Sequence, residues 1–198
     1  MKKIMKYIPT IILTLLCSCS DYLDIVPDNV TTLDIVFNNR NTAERYLANC
    51  YHFVPDHGSV KRIPGMGAGH ECWFYTTNDS HFDNEVSFYI ARGLQNIDAP
   101  YANYWDGEGG SNLPMFRAIR ECNIFLDYVR DQHKVNDLTD SERKRWIAEV
   151  NVLKAYYHFF LFEHYGPIPI VDKALPVSTD PEGVKVTRMP VDQIVDYM

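Results

Sequence analysis

The sequence predicts an all-α protein in which antiparallel helix pairs carry long irregular loops. Two stretches have apolar side chains that recur every three or four residues, the spacing of one helical face. In the first stretch these residues are Met115, Ile119, Cys122, Leu126 and Val129. In the second they are Trp146, Val150, Leu153, Tyr157 and Phe160. Because a short polar turn (residues 134–137) joins the two predicted helices, we expect them to pack side by side.

The amino-terminal residues 1–18 have the composition of an export signal. Three lysines precede an apolar run, residues 8–16, that is too short to remain as a membrane span. Cys19 follows a small residue at the end of this run, as the acylated cysteine of a bacterial lipoprotein does. We therefore predict a signal peptide at residues 1–18, a lipid on Cys19 and one helical domain at residues 19–198. The alternative is an ordinary cleaved signal without lipid attachment.

The charge of the chain argues against a nucleic-acid partner. It carries 19 Lys and Arg against 26 Asp and Glu, and loss of residues 1–18 removes three lysines, so the mature net charge is −10. Nucleic-acid binding requires clustered positive charge instead. Cys50, Cys72 and Cys122 fit no zinc spacing and no disulfide framework, although a single bridge stays open.

Two shorter helices are predicted before residue 55. Residues 33–37 form the first. Asn41 is predicted to cap the second, because Glu44 follows at the capping-box position. The apolar face of this second helix consists of Ala43, Tyr46, Leu47, Cys50, Tyr51 and Val54.

The long helix has clear start and stop signals. Thr139 and Glu142 have capping-box spacing, and Gly166 followed by Pro167 ends the helix. A second row of apolar residues predicts packing on several sides of its carboxyl-terminal half. This row consists of Ala148, Ala155, Phe159 and Phe162.

A last helix begins at Pro190, a favourable first-turn residue. Its predicted apolar face runs to the final residue, so the domain is expected to be truncated at its carboxyl terminus. This face consists of Val191, Ile194, Val195 and Met198.

The irregular stretch at residues 55–113 is the predicted ligand-binding region, because it interleaves aromatic and polar residues. A sugar ring stacks its C–H face on an aromatic side chain, and its hydroxyl groups bond to polar side chains. The candidate ligand-binding residues are Trp73, Tyr75, Asn78, Asp79, Tyr101 and Trp105. Local core packing is the alternative for Trp73 and Trp105, and capping of a turn is the alternative for Asn78 and Asp79.

Three segments resemble the RagB/SusD family of Bacteroidetes. They are AEVNVLKAYYHFFLFEHYGPIPI at residues 148–170, CSDYLDIVP at residues 19–27 and MFRAIRECNIFL at residues 115–126. The resemblance implies a lipid-anchored protein on the exterior of the outer membrane that binds an oligosaccharide nutrient. It implies a TonB-dependent, SusC-like transporter as the partner, over which such proteins sit as a lid. It also implies helix pairs of degenerate tetratricopeptide-like type, and a chain that forms only the amino-terminal part of a family member.

No pattern of catalytic, metal-binding or cofactor-binding residues occurs in the sequence. His70 and Glu71 lack the second histidine of a zinc protease motif, and the acidic residues 79–85 lack the order of a calcium-binding EF-hand. We therefore expect a binding protein and not an enzyme. Three alternatives stay open: a peptide-nutrient binder of the same family, a secreted glycoside hydrolase, and a non-functional truncation product.

Overall fold

The computed structural model describes residues 32–58, 65, 67–69, 86–98, 100–107, 113–175 and 185–198. These residues form six helices and no strand, which confirms the all-α prediction. The chain divides into two compact units, Met1–Ile35 and Val36–Met198, and the account below concerns the second. The predicted signal peptide and Cys19 lie outside the described residues.

The helices largely follow the predicted order. They are α1 (Leu33–Val36), α2 (Arg40–Tyr51), α3 (Val86–Ala91), α4 (Met115–Arg130), α5 (Asp140–Tyr165) and α6 (Val191–Tyr197). Helix α3 falls inside the stretch that was expected to be irregular. It has only six residues, too few to show a helical repeat in the sequence.

Helices α4 and α5 form the predicted antiparallel pair. The ring of Phe125 on α4 lies 6.2 Å from that of Trp146 near the start of α5. Helix α2 packs over the pair, and the hydroxyl of Tyr157 donates a 2.5 Å hydrogen bond to the carbonyl oxygen of Cys50. Cys50 and Cys122 are buried free thiols in this core, as expected for small apolar residues. The tetratricopeptide-like character of the pair stays a prediction.

The predicted cap of α5 is confirmed, whereas that of α2 is wrong. Thr139 and Glu142 form both hydrogen bonds of a capping box. Helix α2 begins two residues earlier than expected, because Asn39 and not Asn41 accepts the hydrogen bond from the Thr42 N–H group at 3.1 Å. The chain there reads Asn-Asn-Arg-Asn, so Asn39 and Asn41 are both candidate caps, and local spacing alone does not distinguish them.

One face of α5 is buried as predicted, but its second buried row is polar. The residues from Trp146 to Phe160 that repeat at helical spacing all lie in the core. The predicted second row is wrong at Ala148, which is exposed, and at Phe159, whose side chain is 47% exposed. The other two residues of that row, Ala155 and Phe162, are half-buried, and Phe162 packs against the core. Arg143, Lys154 and His158 are buried instead. Arg143 and Lys154 donate to carbonyl groups of neighbouring segments, and His158 accepts a hydrogen bond from the N–H group of Val171.

Helix α6 buries only one residue of its predicted apolar face. Ile194 is fully buried, whereas Val191 and Val195 are 43% and 54% exposed. None of the helices in the described ranges combines the length and the apolar character that a membrane span requires.

Arg143 organises the turn between α4 and α5. Its guanidinium group donates hydrogen bonds to the carbonyl oxygens of Val129 (2.6 Å), Asp131 (3.1 Å), Lys134 (3.0 Å) and Val135 (3.0 Å). Carbonyl groups at the end of a helix have no partner within the helix. A single buried side chain therefore satisfies the end of α4 and the turn that follows it.

We predict that Arg143→Met lowers the free energy of unfolding by about 3 kcal/mol, because it leaves several buried carbonyl groups without a donor. Urea unfolding followed by circular dichroism measures this loss. Arg145→Met is the matched control. Arg145 is exposed and, among the described residues, forms an ion pair only with Glu149 at 3.5 Å, so its loss changes stability by no more than about 0.5 kcal/mol. Equal effects of the two substitutions would contradict the role assigned to Arg143.

Candidate functional site

A segment that follows α5, which we call the strap segment (residues 167–175), is held to both helices of the pair. The amide Nδ2 of Asn123 on α4 donates to the carbonyl oxygen of Val171 at 3.0 Å. The ammonium group of Lys154 on α5 donates to the carbonyl oxygen of Asp172, also at 3.0 Å. Asn123 is buried, and this hydrogen bond gives its amide N–H group the partner that a buried donor needs.

His158 fixes the same segment through a single tautomer. Its Nδ1–H donates to the carbonyl oxygen of Lys154 at 2.8 Å, which leaves Nε2 to accept from the N–H group of Val171 at 3.4 Å. Burial lowers the pKa of His158 to about 4, because the imidazolium form would lose its hydration. The ring is therefore neutral at pH 7, as both of its contacts require.

The strap segment turns alternate residues toward opposite sides, as an extended chain does. Ile168 and Ile170 pack against the helical core. The carboxylate of Asp172 accepts hydrogen bonds from Lys154 at 2.8 Å and from the hydroxyl of Tyr197 at 3.1 Å. The hydrogen bond from Lys154 is the main reason why the pKa of Asp172 is lowered.

The other side of the strap segment forms one wall of a cleft of about 310 Å³. Its cationic lining consists of Arg120 and Lys173. A mainly apolar wall with a few polar groups is the general form of a small-molecule site. The apolar lining consists of Trp105, Phe116, Pro169, Val171, Leu175 and Val186.

Trp105 is held in position from several sides. The rings of Phe116 and Tyr165 meet its indole nearly edge-on, at centroid distances of 4.6 Å and 5.5 Å. The guanidinium group of Arg188 lies 5.4 Å from the indole centroid and donates to the carbonyl oxygen of Pro167 at 2.9 Å. Trp105 is half-buried and has the packing contacts of the local-core alternative, and its ligand role stays a prediction.

Gly107 controls the path of the chain between Trp105 and α4. Its φ angle is +86°, a conformation that side chains disfavour. A Cβ atom at this position would lie 2.8 Å from Cδ of Pro114, the residue that precedes α4. Only glycine allows the chain to approach the start of α4 this closely.

Tyr101 belongs to a second aromatic surface. Its ring stacks on that of Tyr89, with a centroid distance of 4.3 Å and an interplanar angle of 7°, and it does not pair with Trp105. Its N–H group donates to the side-chain oxygen of Gln95 at 2.7 Å. The structure thus separates the two described candidates onto different surfaces. The other four candidates, Trp73, Tyr75, Asn78 and Asp79, lie outside the described residues.

Sequence reasoning missed most of the cleft. Phe116 and Arg120 are four residues apart on α4, so they share one helical face. Lys173 reaches the cleft through the alternation of the strap segment. The spacing on α4 and the alternation of the strap segment are visible in the sequence, but nothing in the sequence indicated that α4 and the strap segment both adjoin Trp105. In the described part of the chain, no cluster of three or more His, Cys, Asp or Glu side chains is arranged to hold a metal ion.

Comparison with known proteins identifies a matching family and a structure of similar fold. The sequence model of the SusD-like_3 family, described as "Starch-binding associating with outer membrane", matches residues 21–198. The crystal structure of a SusD-like protein from Bacteroides fragilis is similar in fold, with a TM-score of 0.58 and 18% sequence identity over 83% of this chain. The chain spans 28% of the length of that protein. No curated protein matches the chain.

We predict that His158 makes stability depend on pH. The unfolded chain takes up a proton below the ordinary pKa of 6.5, whereas the folded protein keeps His158 neutral down to pH of about 4. The contribution of His158 to the free energy of unfolding is therefore complete above pH 6.5. It falls by up to about 3 kcal/mol as the pH is lowered toward 4. Urea unfolding at several pH values should show this slope in the wild type and in His133→Gln, which changes an exposed histidine. An unchanged slope in His158→Gln would show that another group is responsible.

Proposed function

The chain belongs to the SusD-like family, whose description names starch binding and association with the outer membrane, and from this we propose that it binds a glycan nutrient without cleaving it. The RagB/SusD resemblance of the sequence is thereby confirmed. The family is described by binding and not by a reaction. The observation that carries the proposal is the cleft beside Trp105, where an aromatic wall adjoins two cationic side chains.

The chemistry of this cleft suits a sugar. A pyranose ring presents an apolar face of C–H groups, for which Trp105 and Phe116 provide an apolar wall. The hydroxyl groups of the sugar need hydrogen-bond partners, and the guanidinium group of Arg120 and the ammonium group of Lys173 are donors at the same wall. A volume of about 310 Å³ corresponds to a small ligand or to one part of a longer one.

The aromatic pair of Tyr89 and Tyr101 is a second surface for stacking. Its two rings are nearly parallel, and Tyr101 is half-buried. Trp73, Tyr75, Asn78 and Asp79 remain proposed ligand residues on the grounds of composition. A glycan of several units would contact both surfaces in this proposal.

We further propose that a lipid on Cys19 anchors the protein to the outer membrane, facing the exterior. From there it would deliver the bound oligosaccharide to a TonB-dependent, SusC-like transporter. The lipoprotein-like sequence at residues 1–19 and the outer-membrane association in the family description support this arrangement. Metabolic labelling with a palmitate analogue tests the anchor: wild type should be labelled and Cys19→Ser should not.

A glycan affinity gel tests the binding function, because it measures retention and product release together. We expect the protein to be retarded without releasing reducing sugar. Retention accompanied by product would favour the hydrolase, and retention of peptides in place of glycans would favour the peptide-binding alternative.

We predict that Trp105→Leu weakens glycan binding about tenfold, a loss of about 1.4 kcal/mol, because it removes part of the aromatic wall. Phe159→Leu is the matched control, since it replaces an exposed aromatic residue of α5 that does not line the cleft. Isothermal titration calorimetry measures affinity, and thermal unfolding verifies the fold of each variant. A folded Trp105→Leu variant with wild-type affinity would contradict the assignment of the cleft.

A further inference from the structure

The cleft beside Trp105 differs in charge from the rest of the chain. The whole sequence has a net charge of −7, whereas the described lining of the cleft includes Arg120 and Lys173 and no carboxylate. Among the described residues, no carboxylate forms a salt bridge with either of these two cations. The described lining of the cleft is therefore cationic, although the protein as a whole is acidic.

The strap segment produces this separation of charge. Asp172 and Lys173 are adjacent in sequence, but they occupy opposite sides of the segment. The carboxylate of Asp172 is turned toward Lys154 and Tyr197, which already bond to it. Lys173 lines the cleft, so its charge is not compensated by its neighbour in the chain.

Arg120 is fixed at the same wall. Its Nη1 donates to the carbonyl oxygen of Leu175, which joins the guanidinium group to the end of the strap segment. A guanidinium group has five N–H donors in one plane, and its geometry matches that of a carboxylate. Arg188, whose guanidinium group lies 5.4 Å from the Trp105 ring centroid, adds positive charge beside the aromatic wall.

We propose that this cleft binds a glycan residue that carries a carboxylate, a uronic acid. This proposal rests on the proposed glycan-binding function and names the substrate class of the same cleft. The sugar ring packs against Trp105 and Phe116, and its carboxylate accepts hydrogen bonds from Arg120 and Lys173. The charge of the cleft thus distinguishes this chain from a binder of starch alone, which is a neutral glycan.

Calorimetric titration of the full chain with three trisaccharides tests the proposal. The probes are trigalacturonate, its fully methyl-esterified form and maltotriose. The ester keeps the sugar backbone, removes the negative charges and adds one methyl group to each carboxylate. At about 20 mM salt we expect trigalacturonate to bind about tenfold more tightly than the ester, and at about 500 mM salt we expect this difference to shrink.

Lys173→Gln provides the residue-level test. Lys173 is exposed, so its substitution leaves the core intact. We expect trigalacturonate affinity to fall about fivefold and ester affinity to stay unchanged. Lys144→Gln, which removes an exposed lysine of α5 outside the cleft lining, is the matched control and should leave both affinities unchanged.

The outcomes separate this proposal from the proposed function. Equal binding of the acid and the ester, or equal losses in Lys173→Gln and Lys144→Gln, would overturn the charge preference and leave glycan binding intact. Binding of maltotriose but of neither galacturonate probe would also overturn the charge preference and leave glycan binding intact. Binding of none of the three probes, with the protein folded, would overturn the preference and also count against glycan binding by the cleft.

Discussion

Buried polar side chains determine how the connecting segments of this protein sit on its central helix pair. Arg143 satisfies four carbonyl groups at the turn between α4 and α5. Asn123, His158 and Lys154 bond to the main chain of the strap segment. A buried carbonyl or amide group without a partner is costly, so each of these contacts specifies a main-chain position as well as stabilising it. The hydrogen bonds to the strap segment therefore also fix the position of the cleft wall that this segment forms.

The sequence was most informative where a local rule determined the structure. The apolar repeat from Trp146 to Phe160 and the capping box at Thr139 depend only on residues a few positions apart. Local rules failed where a distant partner decided the outcome. Lys154 is buried because its ammonium group forms an ion pair with Asp172, which is distant in sequence. Phe159 is exposed because no described segment covers that face of α5. Aromatic spacing alone could not distinguish a covered face from an uncovered one.

The candidate site was predictable only in part for the same reason. Trp105 was identified as a ligand candidate, and it lines the cleft. Tyr101 was identified too, but its ring lies on a separate surface with Tyr89. The cations Arg120 and Lys173 were missed, because one lies on α4 and the other on the strap segment, and only the tertiary fold brings them to the same wall. Composition is the basis of the proposed glycan ligand, whereas the lining of the cleft could be identified only from the structure.

The close approach at Gly107 limits how the site can diversify during evolution. Exposed positions on the rim of the cleft, such as Lys173 and Val186, can be replaced without disturbing the core, so single mutations there can change the side chains that would meet the proposed ligand. Gly107 contributes no side chain to the cleft, yet any replacement would push against Pro114 and shift the chain that carries Trp105. We therefore expect selection to preserve Gly107 even where the side chains that line the cleft have diverged.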